Sequence, residues 1–230
     1  MSQTILNLEE AQDLEARASH RIGEDALMRR AGAFAAEEIA RRAPGRAITV
    51  LAGPGNNGGD ALCCARLLKE KGFAVTVVSP APQTSELART MRDEWLAAGG
   101  EVIEDPYQSP KADLVVDGLF GTGLDRPIKD PFLDAVLWFS ERQAYKVALD
   151  IPTGLNAETG HWAGNMPGCR ADLTITFLSR KAGLYMNEGV EAAGEVVLSE
   201  LDISVPLTRL GLIDERDYEH VLKPRTKYSL

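Results

Sequence analysis

Histidine and cysteine are scarce, with three of each in 230 residues. His20, His161 and His220 are scattered along the chain, so no Ser-His-Asp array and no histidine metal site presents itself. Cys63, Cys64 and Cys169 form no CxxC pair and no zinc spacing. An odd number suits a reducing compartment, and the three are expected to be small buried residues. Long hydrophobic runs are missing too: nothing approaches the roughly 20 apolar residues that span a bilayer, so no membrane partner is expected. Basic charge is in deficit. Lys and Arg total 25 against 34 Asp and Glu, a net charge of -9, which argues against general attraction to nucleic acid or anionic lipid. An anionic ligand would have to rely on backbone N–H groups or a local cation, and Arg29-Arg30 and Arg41-Arg42 read as solvated helix faces. The opening MSQTILNLEEAQDLEARA is acidic and amphipathic, without the basic n-region of a signal peptide or the Arg-rich character of a transit peptide. A cytoplasmic location is expected.

What is present is the material of one large α/β domain: 44% hydrophobic and 26% charged residues, in a chain long enough to bury a substantial core. Segment 8–20 reads as a polar-faced helix. Glu24–Arg42 reads as a second, with Leu27, Met28, Ala31, Phe34, Ala35 and Ile39 at helical spacing. After Pro44-Gly45 the rhythm changes. Strands are predicted at Ala47–Ala52, 73–79, 101–104, 112–117, 146–150, 171–177 and 195–198, with helices over about 60–71, 84–98 and 130–142 between them. Near-continuous apolar strands alternating with helices imply a mostly parallel, doubly wound sheet covered on both faces, a three-layer α/β/α sandwich with an N-terminal helical extension. The domain is assigned to 1–215. Residues 216–230, which end in the basic, Pro-containing VLKPRTKYSL, read as a linker-like tail.

In such sheets the ligand sits beyond the carboxyl ends of the strands. Three strand ends carry unusual sequence: Gly53-Pro54-Gly55-Asn56-Asn57-Gly58-Gly59-Asp60, Asp117-Gly118-Leu119-Phe120-Gly121-Thr122-Gly123-Leu124-Asp125-Arg126-Pro127, and Asp150-Ile151-Pro152-Thr153-Gly154. Gly53, Gly55 and Gly58 satisfy GxGxxG, but the next strand ends in Ser79-Pro80-Ala81-Pro82-Gln83, without the acid that would hold a ribose. An ordinary NAD-dependent dehydrogenase is therefore disfavoured. The glycines instead support a close backbone approach to phosphate at a helix N-terminus. Asn57, Asp117, Asp150 and Thr153 supply oxygen donors converging on one edge, a set suited to a hard cation, and neighbouring carboxylates suit acid–base work.

GPGNNGGDALCCARLL, VDGLFGTGLDRPI, ALDIPTGLNAETG and ADLTITFLSRKAGLYMNEGVEAAGEV, in that order, resemble the blocks of the YjeF N-terminal domain family, the NAD(P)HX epimerases. The opening helices with LMRRAG also fit, so the resemblance covers about 5–205. It implies a Rossmann-like fold, a homodimer, a bound potassium ion (K+), and interconversion of the two C6 epimers of hydrated NADH or NADPH. Residue by residue, it implies that Asn56, Asn57, Gly58, Gly59 and Asp60, then Gly121, Thr122, Gly123, Leu124, Asp125, Arg126 and Pro127, together with Asp150, contact the nucleotide. Asn57, Asp117 and Thr153 are implied potassium ligands. Three positions depart from the family pattern: Arg29 stands where an acid is common, Ala61 where glycine is, and Ala182 where proline is. Arg29 is expected near a dimer interface or the site mouth.

Inverting C6 requires a bond there to break and re-form on the other face, through either an iminium or a ring-opened aldehyde. Asp150 is the expected acid–base group. Many bacterial members continue into a C-terminal dehydratase domain, and the tail is expected to lead into one. Domains of this fold also serve as non-catalytic interaction modules, which is the alternative reading.

Overall fold

The computed structural model describes residues 3–164, 166–203 and 210–212. The expected tail over 216–230 lies outside the described residues. The chain opens with β1 (Gln3–Leu6) and α1 (Leu8–Ile22). Asn7 and Glu10 close a reciprocal capping box at the start of α1: the Asn7 Oδ1 accepts from Glu10 N at 2.8 Å and the Glu10 carboxylate from Asn7 N at 3.0 Å. Gly23, at φ 88°, breaks the helix and starts α2 (Glu24–Arg42) at a new angle.

Then come β2 (Ala47–Ala52), α3 (Asn56–Glu70), β3 (Ala74–Val78), α4 (Glu86–Ala97), β4 (Val102–Ile103), β5 (Leu114–Gly118), α5 (Phe132–Glu141), β6 (Tyr145–Leu149), β7 (Leu173–Phe177), β8 (Arg180–Lys181), α6 (Gly189–Ala192), β9 (Glu195–Ser199) and β10 (Leu210–Leu212). Seven strands form one sheet in the order β4-β3-β2-β5-β6-β7-β9, with every pairing parallel. The expected doubly wound α/β architecture is what the chain adopts. Strand order runs one way from β2 to β4 and the other way from β5, so the crevice opens between the carboxyl ends of β2 and β5.

Alternate residues of the central strands feed two cores. Ile48, Val50, Val116, Val147 and Leu149 pack under α2, α3 and α4, whereas Leu51, Val78 and Val115 meet Ala135, Val136, Trp138 and Phe139 of α5. Burial on both faces explains why these strands read as unbroken apolar runs. The three cysteines are buried and free, as expected. Arg41 is exposed, as expected of a solvated helix face, Arg29 and Arg30 are partly exposed and Arg42 is largely buried; each is also paired with an acid, Arg29 with Glu94, Arg30 with Asp202, and Arg41 and Arg42 with Glu38.

Two features differ from the sequence reading. A second sheet, in the order β10-β1-β8, joins β1 antiparallel to β10 and parallel to β8. Its strands are too short to show a period, which is why no pattern announced them. Helix α3 begins at Asn56, not near Asp60, because Asn-Asn-Gly-Gly composes the first helical turn despite its loop-like composition. A Cβ on Gly59 would sit 2.6 Å from the Met28 side chain, so packing of α2 against α3 sets that glycine.

Candidate active site

The floor of the site is the meeting of two strand ends. Gly53 N donates to Gly118 O at 3.0 Å, which draws the β2–α3 turn against the loop after β5. A Cβ on Gly53 would lie 1.7 Å from Leu119 O, and one on Gly58 would lie 1.9 Å from Gly53 O. Both glycines are demanded by backbone packing. Gly55 differs: a Cβ there meets nothing within 4 Å, so the turn is open where a ligand would approach. The first turn of α3 carries no side-chain cap, leaving its N–H groups and the positive end of the helix dipole directed at this edge.

Behind the floor, Asp117 is fully buried at the end of β5. Its carboxylate accepts from Thr153 N at 2.8 Å, Thr153 Oγ1 at 2.7 Å and Leu119 N at 3.2 Å. Burial pushes the Asp117 carboxyl above its ordinary value, and these hydrogen bonds, with one from the Cys169 thiol, oppose the rise. Phe120 N in turn donates to Thr153 Oγ1 at 3.0 Å. Asn57 is buried, and neither its amide oxygen nor its amide nitrogen has a partner among the described residues. An orphaned buried amide beside this edge is the place for a ligand the chain itself does not provide.

In front lies a cavity of about 140 Å³ between α1, α2 and the strand ends. Leu27, Met28, Leu87 and Phe177 give it apolar walls, and Glu15, Glu24, Asp60, Asp150 and Lys181 give it four carboxyl groups and one ammonium. Asp150 sits at φ 66°, a left-handed conformation tolerated by aspartate better than by most residues. Its N–H donates to Ile175 O at 2.7 Å, and the next N–H turns back to Leu149 O at 2.8 Å. This bend lifts the carboxylate off the strand and toward the cavity.

Lys181 holds the Asp150 carboxylate. Its Nζ donates to Asp150 Oδ1, to Thr176 Oγ1 at 2.9 Å and to Phe177 O at 2.8 Å, which uses all three donors of the ammonium. The Lys181 side chain is 7% exposed and that of Asp150 17%, so the pair is largely out of water. β1 sets the lysine in place, pairing Leu6 with Lys181 and Ile5 with Arg180. The carboxylate of Asp60, half-buried across the cavity, has no hydrogen bond or ion pair among the described residues. Desolvation, followed by the negative charges of Asp150 and Glu15, raises its carboxyl well above the ordinary value. Glu15 on α1 is raised for the same reasons, desolvation first and Asp150 second.

Of the residues singled out in the sequence, Asn56, Asp60, Thr122 and Asp150 line the cavity together. Gly121 stands next to Asp150 and Asn57: a Cβ there would come within 3.0 Å of Asp150 Oδ2 and 3.6 Å of the Asn57 side chain. Asp117 and Thr153 form their own buried pair beneath. Gly123, Asp125, Arg126 and Pro127 lie on an exposed loop outside the cavity wall, with Leu124 buried among them. Arg29 does not line the cavity: its guanidinium bridges Glu94 of α4 at 2.5 Å and Asp25 at 2.9 Å, tying α2 to α4. Lys181, Glu15 and Ser179 were missed. Ser179 lines the cavity with a buried hydroxyl that lacks a partner among the described residues. The one available signal was Lys181 in SRKAG, a lysine four residues after the end of an apolar strand.

Residues 24–183 match the family described as YjeF-related protein N-terminus. The chain belongs to that family. Relatives of this YjeF-related chain include a protein of Bordetella pertussis named NAD(P)H-hydrate epimerase, 41% identical over 194 residues, covering 82% of this chain and 84% of that one. A protein of the same name from Limosilactobacillus reuteri is 37% identical over 177 residues, 75% of this chain and 82% of the relative. A bifunctional NAD(P)H-hydrate repair enzyme Nnr of Archaeoglobus fulgidus is 37% identical, the match covering 77% of this chain and 37% of that longer protein. The crystal structure of yeast ynu0 superposes with a TM-score of 0.71 at 24% identity, covering 85% of this chain and 87% of that one, so the fold is shared. The family match starts at residue 24, at the head of α2, so α1 and its cavity-facing Glu15 lie outside it.

Proposed function

We propose that this chain is an NAD(P)H-hydrate epimerase, an isomerase that interconverts the R and S forms of hydrated NADH and NADPH at C6. The observation that carries the reading is the ion-paired Asp150, held at a left-handed bend over a cavity that also faces the uncapped N-terminus of α3. The nucleotide's phosphates suit that N-terminus and the open turn at Gly55, where backbone N–H groups offset the overall negative charge of the protein. Asn56 to Asp60 and Gly121 to Pro127 are the segments assigned to the nucleotide, and the hydrated ring is assigned to the cavity.

C6 bears a hydroxyl beside the ring nitrogen. The nitrogen lone pair expels it as water if a proton is delivered to the oxygen, leaving an iminium that water attacks from the opposite face. Asp150, its carboxylate oriented by Lys181, is the group that takes a proton from the attacking water. Such acid–base assistance contributes about 10²–10⁴-fold.

Potassium fits the residues present. Asn57 offers an unpartnered buried amide oxygen, and Asp117 and Thr153 add a carboxylate and a hydroxyl, an all-oxygen set of the kind hard cations take. These three residues would hold it. The ion would supply a fixed positive charge that offsets the buried Asp117 and orders the loop after β5.

The reading is tested by giving the protein a purified single epimer of NADHX, with and without potassium, and following the other epimer by chromatography. Equilibration well above the uncatalysed rate, faster with potassium, is expected. Asp150→Asn, which keeps the left-handed bend, should bind nucleotide but lose about 10²-fold or more in turnover. Binding without any wild-type turnover would instead make the chain a nucleotide-binding module. A homodimer is also proposed, and light scattering at the mass of one chain would rule it out.

A further inference from the structure

Two of the cavity's four carboxyl groups stand in opposite circumstances. Asp150 is ion-paired to a lysine whose three donors are all engaged. Asp60 faces the same cavity from α3 without a partner among the described residues, and the other groups around it are mostly acidic. From α1 it is faced by Glu15, from α2 by Glu24, from the end of β6 by Asp150, and from β8 by Lys181, whose charge is already committed to Asp150. Asn56, a turn earlier on α3, is neutral. Among the described residues of the cavity wall, no uncommitted cation holds Asp60 ionised.

We propose that Asp60 is a second catalytic residue of the epimerisation proposed above, the carboxylic acid that protonates the departing C6 hydroxyl while Asp150 serves as the base. The assignment rests on that functional reading and adds to it. The division into acid and base is argued from geometry: one carboxyl is ion-paired to an ammonium, the other stands among carboxylates. Desolvation and the charges of Asp150 and Glu15 both act to keep Asp60 protonated.

The steps balance. The C6–O bond breaks as the ring nitrogen lone pair forms the N1=C6 bond; the Asp60 proton goes to the departing oxygen, and water and an Asp60 carboxylate result. A water molecule then forms the new C6–O bond on the opposite face, its proton passes to the Asp150 carboxylate, and the N1=C6 electron pair returns to nitrogen. Asp60 is now ionised and Asp150 protonated. That state is the one required to convert the other epimer back, and proton exchange with solvent restores the first. No oxidant or reductant takes part.

The test pairs kinetics with a direct titration. In the wild type, the rate of converting one pure epimer should fall on the alkaline side as Asp60 loses its proton. Asp60→Asn should lower kcat by about 10²-fold or more, with KM nearly unchanged, and the alkaline fall should vanish from what remains. Asp60→Glu, which keeps a carboxyl, should recover part of the loss. Retention of more than about a tenth of kcat by Asp60→Asn, or a loss confined to KM, would make Asp60 a binding residue only and overturn the proposal. Carbon-13 NMR of labelled aspartate carboxyls, assigned with Asp60→Asn, gives a readout independent of turnover. An Asp60 carboxyl already ionised in mildly acidic solution would overturn the proposal even if the epimerase reading stands. A wild type that turns over no epimer would overturn that reading, and this one with it.

Discussion

The glycines of the β2–α3 turn look alike in the sequence and do different work. Gly53 is pressed against Leu119 O, with no room for a methyl group, whereas Gly55 borders open space at an ordinary backbone angle. Gly53→Ala should therefore cost about 3 kcal/mol or more in denaturant unfolding, because the clash is with backbone and cannot be relieved by a rotamer change. Gly55→Ala should leave the unfolding midpoint in place and weaken nucleotide binding, which calorimetry with NADH would register. Equal effects of the two changes on stability would show that Gly55 has a packing role as well. The motif was legible because glycine spacing is a local property. Which glycine faces the ligand was not, since that depends on the loop after β5, some sixty residues further along.

Among the elements, the long helices and the central strands were readable from hydrophobic period and turn residues, as α2 and β2 illustrate, both with the predicted bounds. What could not be read was how α2 is held. Arg29 breaks the family's usual charge at its position, and the structure supplies the partner: Glu94 on α4, whose carboxyl the Arg29 guanidinium holds below its ordinary value. The pair is about one-third exposed on each side, so it contributes no more than about 1 kcal/mol. Arg29→Glu, restoring the common acid, should destabilise the fold by about 1–2 kcal/mol, more at low salt, because it sets a third carboxylate between those of Asp25 and Glu94. Turnover per folded molecule should not change, since Arg29 lies outside the cavity wall. A fall in kcat with unaltered stability would contradict this placement. A buried neighbour shows similar compensation: Ala61, where glycine is common, is tolerated because Gly118 faces it, and a Cβ on Gly118 would meet the Ala61 methyl at 2.4 Å.

For the molecule as a whole, the small sheet and α1 turn an open α/β edge into an enclosed site. β1 pairs with β8, β8 carries Lys181, and Lys181 reaches Asp150 at the end of β6, so the two sheets are joined through one largely buried ion pair. Lys181→Met should leave that carboxylate without its partner and cost about 3–5 kcal/mol near neutral pH. Lys181→Arg, which keeps a cation in reach of the carboxylate, should recover part of that cost; urea unfolding of the two variants would show it. A Lys181→Arg variant no more stable than Lys181→Met would mean that Lys181 acts through packing alone.

The doubly wound class, the order of strands and helices, and the three strand ends that carry the chemistry were all written in local composition, because burial on both faces of a parallel sheet imposes continuous apolar runs and the crevice follows from strand ends. The pairing of Lys181 with Asp150, the unpartnered state of Asp60 and the enclosure of the cavity by α1 depended on folding. They join residues far apart in the chain through strands of only two to four residues. Ionic partnership is a matter of distance in space, and strands that short leave no period in the sequence from which that distance could be inferred.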